Sequence, residues 1–95
     1  MKKFYLLILL LSISFAQDFK FLGTILDTET KEPIIDANIV FIESDFGSVS
    51  DLNGNFSVTN LQKQEFEVLI SAIGYKDVIF SVNLINQDSY VFELI

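Results

Sequence analysis

Apolar and polar side chains alternate along much of this chain, and this period of two constrains the fold more than any other feature. In the runs 65–72, 78–84 and 90–94, every second residue is apolar. Successive side chains of a strand point to opposite faces, so this pattern is typical of strands with one buried face. A shorter run at 55–60 alternates in the same way. No segment after residue 17 shows the 3.6-residue period of an amphipathic helix.

The first half of the domain completes the strand pattern. The runs 19–27 and 37–43 carry apolar residues on both faces, which favours central strands, and a short strand is predicted at 47–51. Turn signals separate the runs: a polar loop that ends in Pro33, the Asp51-Leu52-Asn53-Gly54 hairpin turn, Gly74, and the segment 86–88. Gly54 is expected to adopt a positive φ. Seven short strands at this spacing predict an all-β, seven-stranded antiparallel β-sandwich.

Residues 1–16 are predicted to be a cleavable signal peptide, and residues 17–95 a single domain. Lys2 and Lys3 precede an apolar stretch, and the small residues Ser14 and Ala16 form a cleavage site before Gln17. A membrane anchor is the alternative, but the apolar stretch is about 12 residues long and a membrane span needs about 20. The sequence therefore predicts export by the Sec pathway and no membrane span in the mature chain.

The charged residues exclude several classes of function. The chain has 13 acidic and 6 basic residues, all of the latter Lys, for a net charge of −7. Such a domain repels nucleic acid and anionic lipid. It has no His and no Cys, so there is no imidazole base, thiolate nucleophile, ordinary zinc site or disulfide. We expect neither an enzyme nor a cofactor; paired carboxylates, as in glycosidases, are the one catalytic alternative.

Two local features have both a functional and a structural interpretation. The Asp51–Asn55 stretch is faintly similar to a calcium loop, but its Gly is at the fourth position and Lys63 stands at the twelfth. An EF-hand needs Gly at the sixth and Glu at the twelfth, so a hairpin turn is the better interpretation. Tyr75 and Phe46 lie near turns, where they could stack on a sugar or cap the core; capping is the more usual role.

The turn residues and the apolar residues beside them, taken in order, resemble those of carboxypeptidase regulatory-like domains. The residues that carry the resemblance are Gly23-x-Ile25-x-Asp27, Thr30-x-Glu32-Pro33-Ile34, Ala37-Asn38-Ile39, Gly47-x-x-x-Asp51-x-Asn53-Gly54-x-Phe56, Leu61, and Ile70-Ser71-Ala72-Ile73-Gly74-Tyr75. The resemblance covers the chain from about residue 19 to residue 95. One departure is that Asp36 stands where the family has Gly before Ala37, so a tight turn must use Asp36.

The resemblance implies a transthyretin-like Greek-key sandwich without catalysis of its own. Such domains are found as N-terminal extensions of TonB-dependent outer-membrane receptors that import glycans in Gram-negative bacteria. This implies a periplasmic, outer-membrane-associated location and a protein partner in the envelope: the receptor plug and barrel or the transport apparatus. The alternative is a stand-alone secreted module that binds carbohydrate or a cell-envelope protein. In either case we expect the partner at a strand edge or a loop end.

Overall fold

Seven β-strands make up the computed structural model, which describes residues 18–44 and 46–95. The strands are β1 (Phe19–Asp27), β2 (Asn38–Phe41), β3 (Gly47–Val49), β4 (Asn55–Leu61), β5 (Glu65–Ser71), β6 (Val78–Asn83) and β7 (Ser89–Leu94). Each strand lies within or beside the run that predicted it. The all-β fold with seven strands is therefore confirmed, while the predicted signal peptide lies outside the described residues.

The strands form two sheets. Sheet A has the order β4-β1-β7, and sheet B has the order β3-β2-β5-β6. The two runs with apolar residues on both faces, β1 and β2, are indeed internal strands. The described residues contain no helix that is long and apolar enough to cross a membrane.

One pairing corrects the antiparallel expectation. β1 and β7 run parallel, with Gly23 opposite Tyr90 and Ile25 opposite Phe92. The other paired strands are antiparallel. A parallel pair cannot be joined by a hairpin, and here the strands β2 to β6 lie between the two strands in the chain, four of them in sheet B and β4 in sheet A. The alternating pattern predicts which face is buried but carries no information on the direction of the neighbouring strand.

The core lies between the inward faces of both sheets, with Phe21 at its centre. The Phe21 side chain has no exposed surface. Its ring makes edge-to-face contacts with five other aromatic rings at centroid distances of 5.1–6.2 Å, those of Phe41, Phe56, Phe66, Tyr90 and Phe92. Such contacts add to the hydrophobic stabilisation from burial of the rings. One residue of β1 thus connects the core sides of both sheets.

The sandwich has two ends that differ in composition. We call the end where β1 finishes at Asp27 the motif end, because the turns around it contain Pro33, Gly54 and Tyr75. We call the end where β1 begins at Phe19 the groove end. There Phe19 pairs with Leu61 of β4. The candidate functional features divide between these two ends, the strand edges and the outer sheet faces.

Candidate functional site

At the motif end, Gly54 allows three chain segments to approach one another. Its φ is +75°, as the turn required. A side chain at this position would place Cβ 2.6 Å from the Ile25 carbonyl oxygen and 3.0 Å from Pro33 Cβ. The Gly54 carbonyl accepts a hydrogen bond from the Ile25 amide at 2.8 Å. Only glycine satisfies both the backbone conformation and the close contact.

The carboxylate of Asp51 organises the same turn. Its Oδ1 accepts hydrogen bonds from the amides of Asn53 and Asn55, each at 2.9 Å. The Asp51 carbonyl accepts a further bond from the Gly54 amide. This is the Asx-type turn that Asp favours, and it supports the hairpin interpretation. The described residues include no group of three or more potential metal ligands.

Gly23 and Phe56 form a second close contact, within sheet A. The two residues are opposite each other in the β1–β4 register. The Phe56 ring lies over Gly23, since a Cβ there would come within 2.3 Å of the ring. Phe56 itself is buried. At this position β1 has no side chain, and the ring of Phe56 fills the space over Gly23.

Tyr75 bonds to Asp27, which joins the first and last parts of the family pattern. The Tyr75 hydroxyl donates to Asp27 Oδ2 at 2.7 Å. Asp27 Oδ1 accepts from the amides of Glu29 and Thr30 at 2.8 and 3.0 Å. The Tyr75 bond is the largest cause, and these two amides further causes, of a pKa of Asp27 below its usual value. The same bond raises the pKa of Tyr75. Tyr75 directly follows Gly74, which has a φ of +90°. Through its bond to Asp27, Tyr75 caps the motif end of the sandwich.

Ser50 is a structural residue that the sequence analysis missed. It is 2% exposed, and its hydroxyl accepts from the Ala37 amide at 2.9 Å and donates to the Ile34 carbonyl at 2.7 Å. It thereby fixes the loop in which Asp36 adopts a φ of +60°, the tight turn expected of that residue. No local signal in the sequence indicates these bonds, because their backbone partners lie 13 and 16 residues away.

The groove end contains an open concavity of about 690 Å³. Phe46 is 58% exposed there and lies 6.3 Å from the ring of Phe41, which in turn stacks on Phe66 at 4.6 Å. Polar side chains surround these rings: Asn60, Gln62, Lys63, Glu65 and Asn83. Phe46 does not cap the core as fully as Tyr75 does. The groove therefore brings an exposed ring and amide groups together in a concavity that none of the turn residues of the motif end lines.

The strand edges are partly closed by side chains and by neighbouring backbone. The Tyr90 hydroxyl accepts from the Asn83 amide at 3.1 Å and donates to the Asn83 carbonyl at 2.8 Å. Asp51 bonds to both backbone groups of Asn55, on the edge strand of sheet A. The Ile95 carbonyl accepts from the Lys76 amide at the start of the β6 edge. These contacts shorten the stretches on which another strand could pair, a usual protection against edge-to-edge association.

Comparison with known protein families agrees with this fold. The family model of the CarboxypepD_reg-like domain matches residues 21–94. The chain belongs to this family. The resemblance inferred from the turn residues is thereby confirmed, and the turn residues described above are the ones that build the domain.

A receptor shares part of this domain. Over 63 residues the chain is 38% identical to the TonB-dependent receptor SusC of Bacteroides thetaiotaomicron. The aligned part covers 66% of this chain and 6% of the receptor. The chain therefore spans only a small fraction of that relative's length, and it is homologous to a part of a TonB-dependent receptor.

The motif residues have structural roles, and this limits the chemistry of the domain. Gly23, Pro33, Gly54 and Phe56 form packing contacts, and the carboxylate of Asp51 bonds to backbone amides. The family and the receptor homologue both point to a non-catalytic domain. An interaction surface, rather than a reactive centre, is the candidate that this arrangement leaves.

Proposed function

We propose that this chain is an exported, non-catalytic accessory domain of a TonB-dependent outer-membrane receptor for nutrient uptake. The observation that carries the proposal is the 38% identity to the TonB-dependent receptor SusC over 63 residues. The domain lies on the periplasmic side, associated with the outer membrane, and contacts the receptor plug and barrel or the transport apparatus. It adjusts uptake and performs none of the transport itself.

Two features support an accessory role. The carboxylates of Asp27 and Asp51 accept bonds from backbone amides, and Asp27 also accepts from Tyr75, so these motif residues hold the domain in shape. The acidic surface is suited to export and solubility and to contact with a basic protein partner. Both features suit a domain whose surface, and not a buried site, contributes to uptake.

Deletion of the domain tests this proposal in the complete receptor. Residues 19–95 are removed from the receptor gene and the leader is kept. We expect normal insertion of the barrel, measured by outer-membrane fractionation, and a changed rate of substrate uptake. The core variant Phe21→Ala in the undeleted receptor should reproduce the change, because it unfolds the domain without shortening the chain. Unaltered uptake in both strains, or a reading frame without a plug sequence after Ile95, would refute the proposal.

A stand-alone secreted module that binds carbohydrate or a cell-envelope protein is the second candidate. The groove end favours it, because the exposed ring of Phe46 and the amides of Asn60 and Gln62 line one concavity. Titration of the exported domain with oligosaccharides, followed by NMR, tests this candidate. Binding that Phe46→Ala abolishes and Leu52→Ala leaves intact would support it, since Leu52 is also apolar and is even more exposed, at 79% against 58%, but lies at the motif end.

A further inference from the structure

The outer face of sheet B carries a row of apolar side chains that cross three adjacent strands. The register places Val40 opposite Leu69, and Leu69 opposite Ile79. Val40 and Ile79 are 41% and 58% exposed. Ile42, two residues after Val40, extends the row toward the groove end, where it lines the concavity. Aligned cross-strand neighbours make this row a continuous apolar patch.

The outer face of sheet A has no such patch. Its most exposed apolar side chain, Val91, lies opposite Thr24. Leu22 lies between Ser57 on one side and Ser89 on the other. Leu22 and Val91 thus lie directly opposite hydroxyl residues, while Leu26 lies between Glu93 and Pro33, an arrangement usual for a solvated surface. A row of directly aligned apolar neighbours on three strands is therefore a feature of the outer face of sheet B.

The charges beside the patch have one sign. Glu65 and Glu67 are the charged residues on the four strands of sheet B, and both are exposed. Glu67 lies next to Ile42, whose amide donates to the Glu67 carbonyl. Lys63, close by, is paired with Glu43 at 3.4 Å. The patch therefore has an acidic border, which repels anionic lipid and favours a basic partner.

We propose that this face of sheet B is the docking surface of the domain, and that its occupant is a protein segment with apolar side chains flanked by lysine or arginine. The row of Val40, Leu69 and Ile79 on three strands, with Ile42 beside it, covers on the order of 100–200 Å². A stable interface between free proteins needs about 800 Å² from each partner. The smaller area of this patch suffices when the partner is part of the same polypeptide or assembly, because tethering raises the effective concentration of the partner. In this respect the inference rests on the proposed function.

A second copy of the chain is a poor occupant for two reasons. The patch is too small for two untethered domains, and a two-fold interface would bring the acidic borders of both copies into one contact. The strand edges are a weaker alternative as well, because Tyr90, Asp51 and Ile95 close parts of them. The apolar face is the larger continuous surface that the described residues leave uncovered.

Photo-crosslinking in the full-length protein in its own cells tests the surface. A photoreactive phenylalanine analogue replaces Val40 in one strain and Val91 in another, and mass spectrometry identifies the captured peptide. We expect position 40 to capture a protein segment with apolar residues and nearby lysine or arginine. Position 91 is the control, because Val91 is the same residue type and is also exposed, at 64% against 41% for Val40, but lies on the other sheet.

Substitutions then test the two components of the contact, with the analogue kept at position 40. Ile79→Asp and Glu67→Lys should each lower the yield of the captured peptide about tenfold or more. Val91→Asp and Asp88→Lys, which make the same changes away from the patch, should leave the yield unchanged. Equal thermal midpoints of the variants would show that the fold is intact.

Several outcomes would overturn the inference: capture of lipid, capture of a second copy of this chain, equal capture from positions 40 and 91, or no capture from position 40 above the control. The test also separates this inference from the proposed function. A basic, apolar segment from a protein outside the receptor would leave the docking surface standing and refute the receptor assignment.

Discussion

The hydroxyl of Tyr75 and the carboxylate of Asp27 belong to turns that are far apart in sequence. The pKa of Asp27 is lowered, so its contribution to stability is complete above about pH 4 and is lost as pH falls through the lower folded-state pKa. The pKa of Tyr75 is raised, so its contribution is complete below about pH 10 and is lost as pH rises through the higher folded-state pKa. The bond thus stabilises the fold across the neutral range.

Tyr75→Phe should therefore lower the free energy of unfolding at pH 7, and the deficit should shrink at pH 3. Urea unfolding of the wild type and the variant at both pH values measures this. Tyr90→Phe is the control, because the Tyr90 hydroxyl bonds to backbone groups of Asn83 and its loss should cost the same at both pH values. A Tyr75→Phe deficit that is independent of pH would contradict the assignment.

Position 54 requires glycine both because its φ is positive and because a side chain there would clash with the Ile25 carbonyl. The two effects can be separated. Gly54→Ala should lower the free energy of unfolding by about 2–3 kcal/mol, because backbone strain adds to a clash with the Ile25 carbonyl. Gly74→Ala should cost about 1 kcal/mol, since its φ is +90° but nothing lies within 4 Å of a new Cβ. Equal losses in denaturant titrations would show that the contact at Gly54 is unimportant.

Among the elements, the edge strand β6 depends on a side chain from the opposite sheet. In Tyr90→Phe, the Asn83 amide loses its bond to the Tyr90 hydroxyl. The hydrogen exchange of the Asn83 amide should therefore become faster, which NMR would measure. The amide of Val82, whose side chain is buried in the same strand, should keep its protection. Unchanged exchange at Asn83 would mean that the hydroxyl does not close the edge.

The apolar row on sheet B is also a property of whole elements. Val40, Leu69 and Ile79 come from three strands, and each appears in its own run as an ordinary outward residue. Their alignment follows from the register of β2 with β5 and of β5 with β6. A shift of one residue in either pairing would move these side chains to the other face.

For the whole molecule, Phe21 connects the two sheets more than any other residue described. Phe21→Ala should cost about 3–5 kcal/mol, a large part of the 5–15 kcal/mol typical of a folded domain. We expect the variant to lose cooperative thermal unfolding, which far-ultraviolet circular dichroism would measure. Phe46→Ala, at an exposed ring, should leave the midpoint nearly unchanged. A cooperative, stable Phe21→Ala domain would contradict this view of the core.

The leader gives a prediction at the same scale. Ser14 and Ala16 predict cleavage before Gln17, so intact-mass measurement of the exported protein should show Gln17 at the N-terminus. Ala16→Asp should block processing, whereas Asp18→Ala should not, because position 18 lies outside the small-residue requirement. An exported protein that keeps residues 4–11 would show that the leader is an anchor.

The sequence by itself determined the strands, the turns and the family. Alternation located four of the seven strands, because burial on one face selects every second side chain, and turn signals separated the other three. The turn residues were equally informative: Gly54 adopts the positive φ expected of it, and Asp36 lies in the tight turn expected there. The tertiary structure decided what depends on strand neighbours, because alternation specifies a face and not a partner. The parallel β1–β7 pair, the buried hydroxyl of Ser50, the bond between Tyr75 and Asp27, and the apolar row on sheet B all arise from contacts between segments distant in sequence.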